Sequence, residues 1–430
     1  INNTTPIVCT ASGVSVAITS PTVPNTPANL RFDVAVSSTN PGVTGGTAFV
    51  NLSNQPFPFT INGTLTNSSD AFITVTFTVT PELSGCASGT PVPTTVIVEP
   101  TPKAVATNNA PVICDAGSPD ISVVSPTAPN TPANLTFDVA VTLPLGITGT
   151  GVAGSGLIGV SAPFNINTGT LTNSSSSFKT VTYTITPKLS GCSNGTPQVV
   201  NVIVEPTPTA TFVNNLPKIC NLGTPNITIT SPTTTSVASD LTFDVTVTLP
   251  GGVTGTLLAG NGIAGATAPF SINTGVLTNT NNNFATVIYT ITPKLLGCAD
   301  GPQQVVNVIV EPTPQADVPV NNLPVICNGG TPSIDVTSPT APSVVGNLTF
   351  DVSVTLPAGV SGTGKPDQSD GRIGTILDPE FTRLGAFLEQ DFHAADAFRL
   401  ESGADDADGV LAPGQIAFHQ HRLLEFLQQA

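Results

Sequence analysis

Apolar and polar residues alternate strictly along several short stretches of the chain. Residues 135–143 place Thr, Asp or Ala between the apolar residues Leu135, Phe137, Val139, Val141 and Leu143. The same alternation recurs at Val181, Tyr183 and Ile185, and again at Val200, Val202 and Val204. A period of two predicts β-strands with one face on a core and the other in water. Glycine-rich stretches such as residues 146–159 and 165–174 separate the strands and are typical of turns.

These strands belong to a unit that recurs about every 105 residues along the chain. The string Leu-Thr-Phe-Asp-Val stands at residues 135–139, 241–245 and 348–352, and residues 30–34 carry Arg31 in place of the threonine. Each full unit closes with Val-Ile-Val-Glu-Pro-Thr-Pro, at residues 96–102, 202–208 and 308–314. This period is too long for one turn of a solenoid and matches a self-standing two-sheet β-sandwich.

The sequence therefore predicts an all-β array with a short α-helical segment at its C-terminal end. The expected repeats are residues 1–103, 104–208 and 209–314, followed by a partial repeat at 315–365 and an acidic helical tail at 366–430. Each full repeat is expected to hold six to eight short strands. The Glu-Pro-Thr-Pro string is expected to act as a short, semi-rigid linker, because its prolines favour an extended backbone.

The partial fourth repeat lacks the strands that would close its sandwich. It keeps an alternating apolar face made of Leu348, Phe350, Val352 and Val354. Exposing this face and its strand edge is unfavourable, so we expect either the tail helices or a strand from another copy to cover it. Strand donation is the favoured alternative, since a surface fibre needs a head-to-tail contact.

Seven cysteines follow the repeat, one near the start of each unit and one after the Tyr- or Phe-bearing strand of each full unit. The simplest pairing is one disulfide per repeat, which joins Cys9 to Cys86, Cys114 to Cys192 and Cys220 to Cys298, and leaves Cys327 unpaired. Disulfides indicate an oxidising compartment. The alternative is buried free thiols in a cytosolic protein, and the repeats lack the CxxC and His patterns of metal sites.

Three motifs together resemble a known class of repeat: a Tyr-Thr-Ile-Thr-Pro strand, a Gly-Cys just after it and a Val-Ile-Val-Glu-Pro exit. They resemble the immunoglobulin-like, PKD-like tandem repeats of large bacterial cell-surface adhesins, including the gliding-motility adhesins. The resemblance covers residues 1 to about 365. It implies secretion, a location on the bacterial cell surface, a spacer or adhesive role, and no catalytic residues.

The composition of the chain limits the classes of partner that it is expected to bind. Only 9% of the residues are charged, the formal net charge is −16, and there are 11 Lys and Arg residues with no cluster. A nucleic-acid partner requires clustered cations, and a membrane span requires an apolar run of about 20 residues. We therefore expect neither nucleic acid nor a membrane span in this chain. The expected partners are other copies of itself, or other cell-surface proteins or glycans.

Catalytic groups are sparse in the repeats. The three histidines lie at positions 393, 419 and 421, so no Ser-His-Asp or Cys-His arrangement can form within one repeat. The recurring acids Asp138, Asp244 and Asp351 are predicted to face water beside threonines rather than to form a hydrolase pair. We expect no enzymatic activity, no catalytic residue and no cofactor.

The tail has a different pattern. Asp378-Pro379-Glu380 predicts a helix start, the apolar residues up to position 398 recur at helical spacing, and residues 416–427 predict a second helix. The connecting loop resembles an EF-hand at Asp406 and Asp408, but Ala404 and Gln415 replace two charged ligands. We expect a solvated acidic loop with weak or no calcium binding.

The predicted function is that of a structural and adhesive stalk or filament subunit. The alternative is an array of carbohydrate- or protein-binding modules whose inter-strand loops, such as residues 146–159, contact the ligand. Sugar sites usually display exposed Trp or Tyr. This chain has no Trp, and its two tyrosines, Tyr183 and Tyr289, lie on predicted core faces.

Overall fold

The computed structural model describes residues 1–361 except positions 318, 319, 322, 333 and 353. The chain divides into two units, Ile1–Glu311 and Pro312–Ala430. The predicted helical tail at 366–430, with its candidate metal ligands Asp406 and Asp408, lies outside the described residues. Calcium binding there stays a prediction.

Three separate hydrophobic cores define the first unit. They span residues 8–98, 104–204 and 210–310, and we call the surrounding regions modules 1, 2 and 3. Phe137, Tyr183 and Ile185 have no exposed surface in module 2, as the alternating pattern predicted. The all-β prediction is confirmed. The predicted boundaries between repeats stay a prediction, although each core falls within one repeat.

Modules 1 to 3 hold nine, ten and ten strands, more than the six to eight predicted. Several extra strands are only two to four residues long and too short to show an alternating pattern.

Module 1 contains β1 (Asn2–Asn3), β2 (Ile7–Cys9), β3 (Ser12–Ile18), β4 (Leu30–Ser38), β5 (Val43–Thr44), β6 (Leu52–Pro56), β7 (Phe59–Asn67), β8 (Ile73–Leu83) and β9 (Val92–Glu99), with 3-10 turns at Pro27–Asn29 and Gly46–Ala48. Module 2 contains β10 (Val105–Asn108), β11 (Val112–Ile113), β12 (Ile121–Val124), β13 (Leu135–Thr142), β14 (Ile147–Gly149), α1 (Gly151–Ser155), β15 (Leu157–Val160), β16 (Phe164–Ile166), β17 (Leu171–Asn173), β18 (Lys179–Leu189) and β19 (Gln198–Val204), with a 3-10 turn at Pro132–Asn134. Module 3 contains β20 (Thr211–Asn214), β21 (Lys218–Ile219), β22 (Ile227–Thr230), β23 (Leu241–Thr248), β24 (Val253–Gly255), α2 (Leu257–Asn261), β25 (Ile263–Ala266), β26 (Phe270–Ile272), β27 (Leu277–Asn279), β28 (Ala285–Leu295) and β29 (Gln304–Val310), with a 3-10 turn at Ala238–Asp240.

A five-stranded sheet forms one layer of each module. In module 2 its order is β11-β19-β18-β13-β15, and it packs against a three-stranded sheet of order β10-β12-β16 and the pair β14-β17. The central strand β18 runs antiparallel to β13 and β19, whereas the short β11 runs parallel to β19. This parallel pairing matters for function, because it brings the first cysteine of each module to the end where the chain leaves.

Residues 146–159 were predicted to be a turn-rich loop, and that prediction is wrong. The segment folds into β14, α1 and the start of β15. Ala153 in α1 has no exposed surface, and the buried Tyr183 hydroxyl donates a hydrogen bond of 2.7 Å to its carbonyl oxygen. Burial raises the pKa of Tyr183 to about 12. The segment therefore closes one part of the core through Ala153, and we call residues 146–159 the plug. Its many glycines made it look like a loop in the sequence.

The described part of the second unit contains β30 (Val320–Asn321), β31 (Ile334–Asp335) and a 3-10 turn at Val345–Asn347. The described residues from Leu348 to Val354, position 353 excepted, form no strand, although the repeat pattern predicts one. Leu348 is 8% exposed, whereas Val354 is 50% exposed. The reason is that the equivalent strand β13 pairs with β18, and the sequence has no counterpart of β18 in this repeat.

Candidate functional site: the module junctions

The cysteines link consecutive modules, so the predicted pairing within each repeat is wrong. The structure joins Cys9 to Cys192 and Cys114 to Cys298, with Cα–Cα distances of 5.5 and 5.6 Å. Each bond ties the first cysteine of one module to the second cysteine of the next. Three cysteines are free and exposed, namely Cys86, Cys220 and Cys327. Cys86 and Cys220 were expected to be bonded, whereas Cys327 was expected to be unpaired.

The direction of the strands explains this pairing. Cys9 ends β2, which runs parallel to β9 and places Cys9 opposite Glu99 at the exit of module 1. Cys86 follows the far end of β8, whose first residue Ile73 lies beside Val98 near that exit. The 11 residues of β8 separate the two poles by roughly 35 Å. A disulfide needs Cα atoms about 4.4–6.8 Å apart, so the two cysteines of one module cannot meet.

The predicted semi-rigid linker is clamped between modules. Pro100 and Pro102 are buried, and Glu99 is only 5% exposed. The backbone N–H of Asn130 in module 2 donates a hydrogen bond of 3.1 Å to the Glu99 carboxylate. Burial raises the pKa of Glu99, and the Asn130 bond opposes part of that rise. The Glu99 side chain thus loses its contact with water and accepts a hydrogen bond from the backbone of the next module instead.

The second junction repeats the arrangement of the first. Glu205 is 4% exposed and accepts the backbone N–H of Ser236 at 3.0 Å, and the Ser236 hydroxyl also donates to it. Pro206 and Pro208 are buried as their counterparts are. A Cβ atom at Gly301 would collide with the carbonyl oxygen of Pro208. The linker therefore packs tightly against the following module.

Backbone hydrogen bonds also cross each junction. Ala128 in module 2 accepts a bond of 2.9 Å from Phe72 N–H and donates one of 2.8 Å to Asp70 O. Thr234 makes the same two bonds with Phe178 and Ser176, at 2.9 and 2.8 Å. Each pair forms a short parallel β-bridge. Modules thus join through a small piece of sheet as well as through a disulfide.

A buried asparagine holds the loop that forms each bridge. The Asn67 amide, 4% exposed, donates to the carbonyl oxygens of Ala71 and Val98 at 2.8 and 2.9 Å. Asn173 makes the same contacts with Ser177 and Val204, and Asn279 repeats them in module 3. These positions appear in the sequence as ordinary turn residues.

A serine and a threonine hold the residue after each linker through two hydrogen bonds, and we call this arrangement the linker clip. Lys103 N–H donates to Thr127 Oγ1 at 2.9 Å, and Ser125 Oγ donates to Lys103 O at 2.7 Å. The same pair of bonds occurs at the start of module 3 and again in the second unit, where the residues are Thr209 with Thr233 and Ser231, and Gln315 with Thr340 and Ser338. The repeated Ser-Pro-Thr string is therefore a linker clip.

Two recurring aspartates were predicted to face water, but each is paired. Asp138 forms an ion pair with Lys188 on the neighbouring strand and accepts the Gly159 N–H at 2.9 Å. Lys188 lowers the pKa of Asp138, and the Gly159 bond adds to this. Asp244 pairs with Lys294 at 2.6 Å in the same way. These partly exposed pairs link β13 to β18 and β23 to β28, and they add little stability.

A polar groove of about 370 Å³ lies beside the junction of modules 2 and 3. Hydroxyls and amides line it, including those of Thr172, Ser176 and Thr207. The carboxylate of Asp115, one of the lining groups, accepts hydrogen bonds from Thr207 Oγ1 and Asn173 N–H, at 2.7 and 2.8 Å. The groove's single carboxylate thus serves the junction itself.

Neither a metal cluster nor a membrane helix is found in the described part of the chain. Within those residues, no three His, Cys, Asp or Glu side chains are grouped so that they could hold a metal ion. Within the same residues, no helix combines the length and apolar character needed to cross a membrane.

Comparison with known proteins identifies the kind of module. Residues 149–208, in module 2, match the PKD-like domain family. No curated protein matches the chain. Modules 1 and 3 repeat the strings of module 2 and the order of its five-stranded sheet, so all three described modules are β-sandwiches of one kind.

Several solved structures are similar to parts of this chain. The adhesin FdeC of Escherichia coli is 16% identical, with coverage of 70% of this chain and 93% of that chain and a TM-score of 0.29. The ICAM-5 D1–D4 ectodomain fragment is 12% identical, with coverage of 71% and 72% and a TM-score of 0.28. Drosophila N-cadherin EC1–4 is 11% identical, with coverage of 73% and 74% and a TM-score of 0.26. These values are too low to carry an argument about partners.

Proposed function

We propose that the chain is an extracellular structural stalk, in which PKD-like modules in series hold a fixed spacing and transmit force. The observation that carries this proposal is that both junctions of the first unit are closed by a disulfide between modules. A binding domain does not need its neighbours fixed, whereas a stalk does. The buried linkers and the backbone bridges support the same function.

The two inter-module disulfides, which we call staples, alter the path of a pulling force. Force applied at Ile1 reaches Cys9 after a few residues and passes through the disulfide to Cys192 in the next module. The linker around Glu99 then shares the load instead of bearing it alone. Without the disulfide, the linker of about five residues would bear the whole load through its buried prolines and the Glu99 hydrogen bond alone.

The location and partners follow from the same features. Disulfides form and persist in oxidising environments, and the PKD-like modules resemble those of bacterial surface adhesins, so we place the protein outside the cell on a bacterial surface. Its proposed partners are other copies of itself, or other cell-surface proteins or glycans. We propose no enzymatic activity and no cofactor.

The second candidate function is an array of binding modules, and the polar groove at Asp115 is the observation that favours it. Against it, residues 146–159 form β14, α1 and the start of β15 instead of a free loop, and Ile147 and Ala153 anchor them in the core. Both tyrosines are also buried, with no exposed surface at Tyr183 or Tyr289. The described modules therefore offer no tyrosine for stacking on a sugar ring, and their exposed aromatic side chains are phenylalanines such as Phe72 and Phe284.

Electron micrographs of the full chain test the stalk function. Class averages of the oxidised protein are expected to show three modules in series with one narrow distribution of angles at each junction. After reduction the distribution should widen, because the linker contacts then act alone. Modules that rotate freely in the oxidised protein would contradict a stalk and leave the binding array as the better function.

A further inference from the structure

The polar groove beside the junction of modules 2 and 3 lies where the first junction carries larger side chains. Ser176 and Thr209 are among its lining residues. Ser176 stands where the first junction has Asp70, since both carbonyl oxygens accept the N–H of the backbone bridge. Thr209 stands where the first junction has Lys103, since both N–H groups donate to the threonine of a linker clip.

At the first junction an ion pair lies between these two positions. Lys103 Nζ is 2.6 Å from Asp70 Oδ1, and the pair crosses from one module to the start of the next. At the second junction the small side chains leave a groove of about 370 Å³ instead. The group found at the equivalent place in the same protein is therefore an ammonium.

The groove also carries a negative charge on its other side. Asp115 stands where module 1 has Thr10, since each accepts the N–H of a buried asparagine, Asn173 or Asn67. The ion pairs found among the described residues do not include Asp115. A carboxylate can accept about four hydrogen bonds, and Asp115 accepts two from Asn173 and Thr207. Thr207 donates to this carboxylate, so its own lone pairs can accept a donor in the groove.

A cation that also bears hydroxyl groups matches this lining. Asp115 and Thr207 offer acceptors to an ammonium N–H, and a hydrogen bond from an ammonium to a carboxylate is a strong one. The exposed hydroxyls of Thr172 and Ser176 can bond to neutral hydroxyls of the same ligand. Calcium is a poorer match, because it takes about six to eight oxygen ligands and the described residues hold no group of three acidic, His or Cys side chains.

We propose that this groove binds a small hydroxylated primary amine, of the amino-sugar class, with its ammonium group on Asp115. The groove volume of about 370 Å³ lies at the lower end of small-molecule pockets, roughly 300–1,000 Å³, and suits a ligand of one sugar ring. Module 2 supplies Asp115 and Ser176, whereas Thr207 lies in the linker and Thr209 follows it. The site is independent of the stalk function, because the staples close the junction with or without a ligand.

Titration of the isotope-labelled, oxidised full chain with glucosamine hydrochloride, followed by nuclear magnetic resonance, tests the site. The amide signals of residues 115, 172–176, 207 and 209 should shift and saturate, with a Kd on the order of millimolar for one charge-assisted pair and a few hydroxyl contacts. Glucose at matched ionic strength is the neutral probe and should bind at least about tenfold more weakly. Absence of saturable shifts with glucosamine, or equal binding of glucose, overturns the proposal.

Asp115→Asn removes the charge and keeps the local structure. Asn221 holds the equivalent position in module 3, where its Oδ1 accepts the Asn279 N–H at 2.8 Å. An asparagine can therefore retain the bond that Asp115 makes with Asn173. The variant should bind glucosamine at least about tenfold more weakly, with unchanged thermal denaturation. Unchanged affinity would overturn the role of Asp115.

A second variant fills the groove and leaves Asp115 in place. Ser176→Asp/Thr209→Lys copies the ion pair of the first junction into the second. Glucosamine binding should be lost, although the charge of Asp115 remains. Binding at the wild-type affinity would place the ligand elsewhere and overturn the proposal. Calcium chloride alone is the last probe: saturation of the same amide signals at a lower concentration than glucosamine requires would overturn the assignment to an amine.

Discussion

Pulling the chain from its two ends should reveal that its disulfides are interlaced. The loop closed by Cys9 and Cys192 spans 183 residues and overlaps the loop of 184 residues closed by Cys114 and Cys298. When the modules unfold, the shortest covalent path crosses the first disulfide to Cys192, returns to Cys114 and crosses the second disulfide to Cys298. That path contains about 78 residues between Cys9 and Cys298, whereas the backbone contains about 289, at roughly 3.4 Å each.

Removing one staple should therefore lengthen the unfolded chain only slightly. In Cys9→Ser/Cys192→Ser, the remaining path runs from residue 9 to Cys114 and across to Cys298, which adds about 27 residues or roughly 90 Å. Had the bonds stayed within modules, this double variant would release about 155 residues, or roughly 530 Å. Full reduction of the wild type should release about 210 residues, or roughly 710 Å.

Single-molecule force spectroscopy on the full chain measures these lengths directly. Contour length at rupture should rise from wild type to the double variant by roughly 90 Å, and again by a much larger step on reduction. The reduced wild type and the reduced double variant should match, which provides the control for the substitutions themselves. An increase of several hundred ångströms in the oxidised double variant would refute the interlaced arrangement.

Three further predictions concern buried groups. Burial raises the pKa of Glu99 above its usual value of 4.5, so the folded state retains a proton that the unfolded state loses, and thermal stability should fall as the pH rises through the raised pKa. Glu99→Gln should flatten this dependence of thermal denaturation on pH, whereas an unchanged dependence in the variant would argue against a buried carboxyl. Tyr183→Phe should lower the unfolding free energy by about 1–3 kcal/mol in urea titrations, because it leaves the buried Ala153 carbonyl without a donor, and equal stability would contradict that bond. With two tyrosines and no Trp in the sequence, ultraviolet titration should show no tyrosinate until the pH approaches about 12, and ionisation near pH 10 in folded protein would show that Tyr183 and Tyr289 are exposed.

The sequence predicted the fold better than the junctions, and the reason is physical. Strict alternation at Phe137 and Val139 reports a strand with one buried face, and a repeated string reports a repeated module. Neither signal tells at which pole of a sandwich a cysteine lies, because that depends on the two-residue strand β11, which is too short to show a pattern. The simplest pairing of cysteines was therefore wrong.

The polar residues of the junctions were hidden for a different reason. Glu99 and Asn173 look like linker and turn residues, since charged and amide side chains usually face water. Their burial arises from contacts supplied by a neighbouring module or a distant strand, and no local pattern records those contacts. The plug at residues 146–159 was missed because glycine, which serves turns, here allows close packing: a Cβ atom at Gly154 would overlap the backbone of Gly149.

Disulfide mapping of natively isolated protein tests the central claim most directly. Trypsin cleaves after Arg31, Lys103, Lys179, Lys188, Lys218 and Lys294, so the four bonded cysteines fall on four different peptides. After free thiols are blocked in acid, we expect peptide 1–31 linked to 189–218, and peptide 104–179 linked to the peptide that begins at residue 295. A link between peptides 104–179 and 189–218 would instead place the bond within module 2 and contradict stapled junctions.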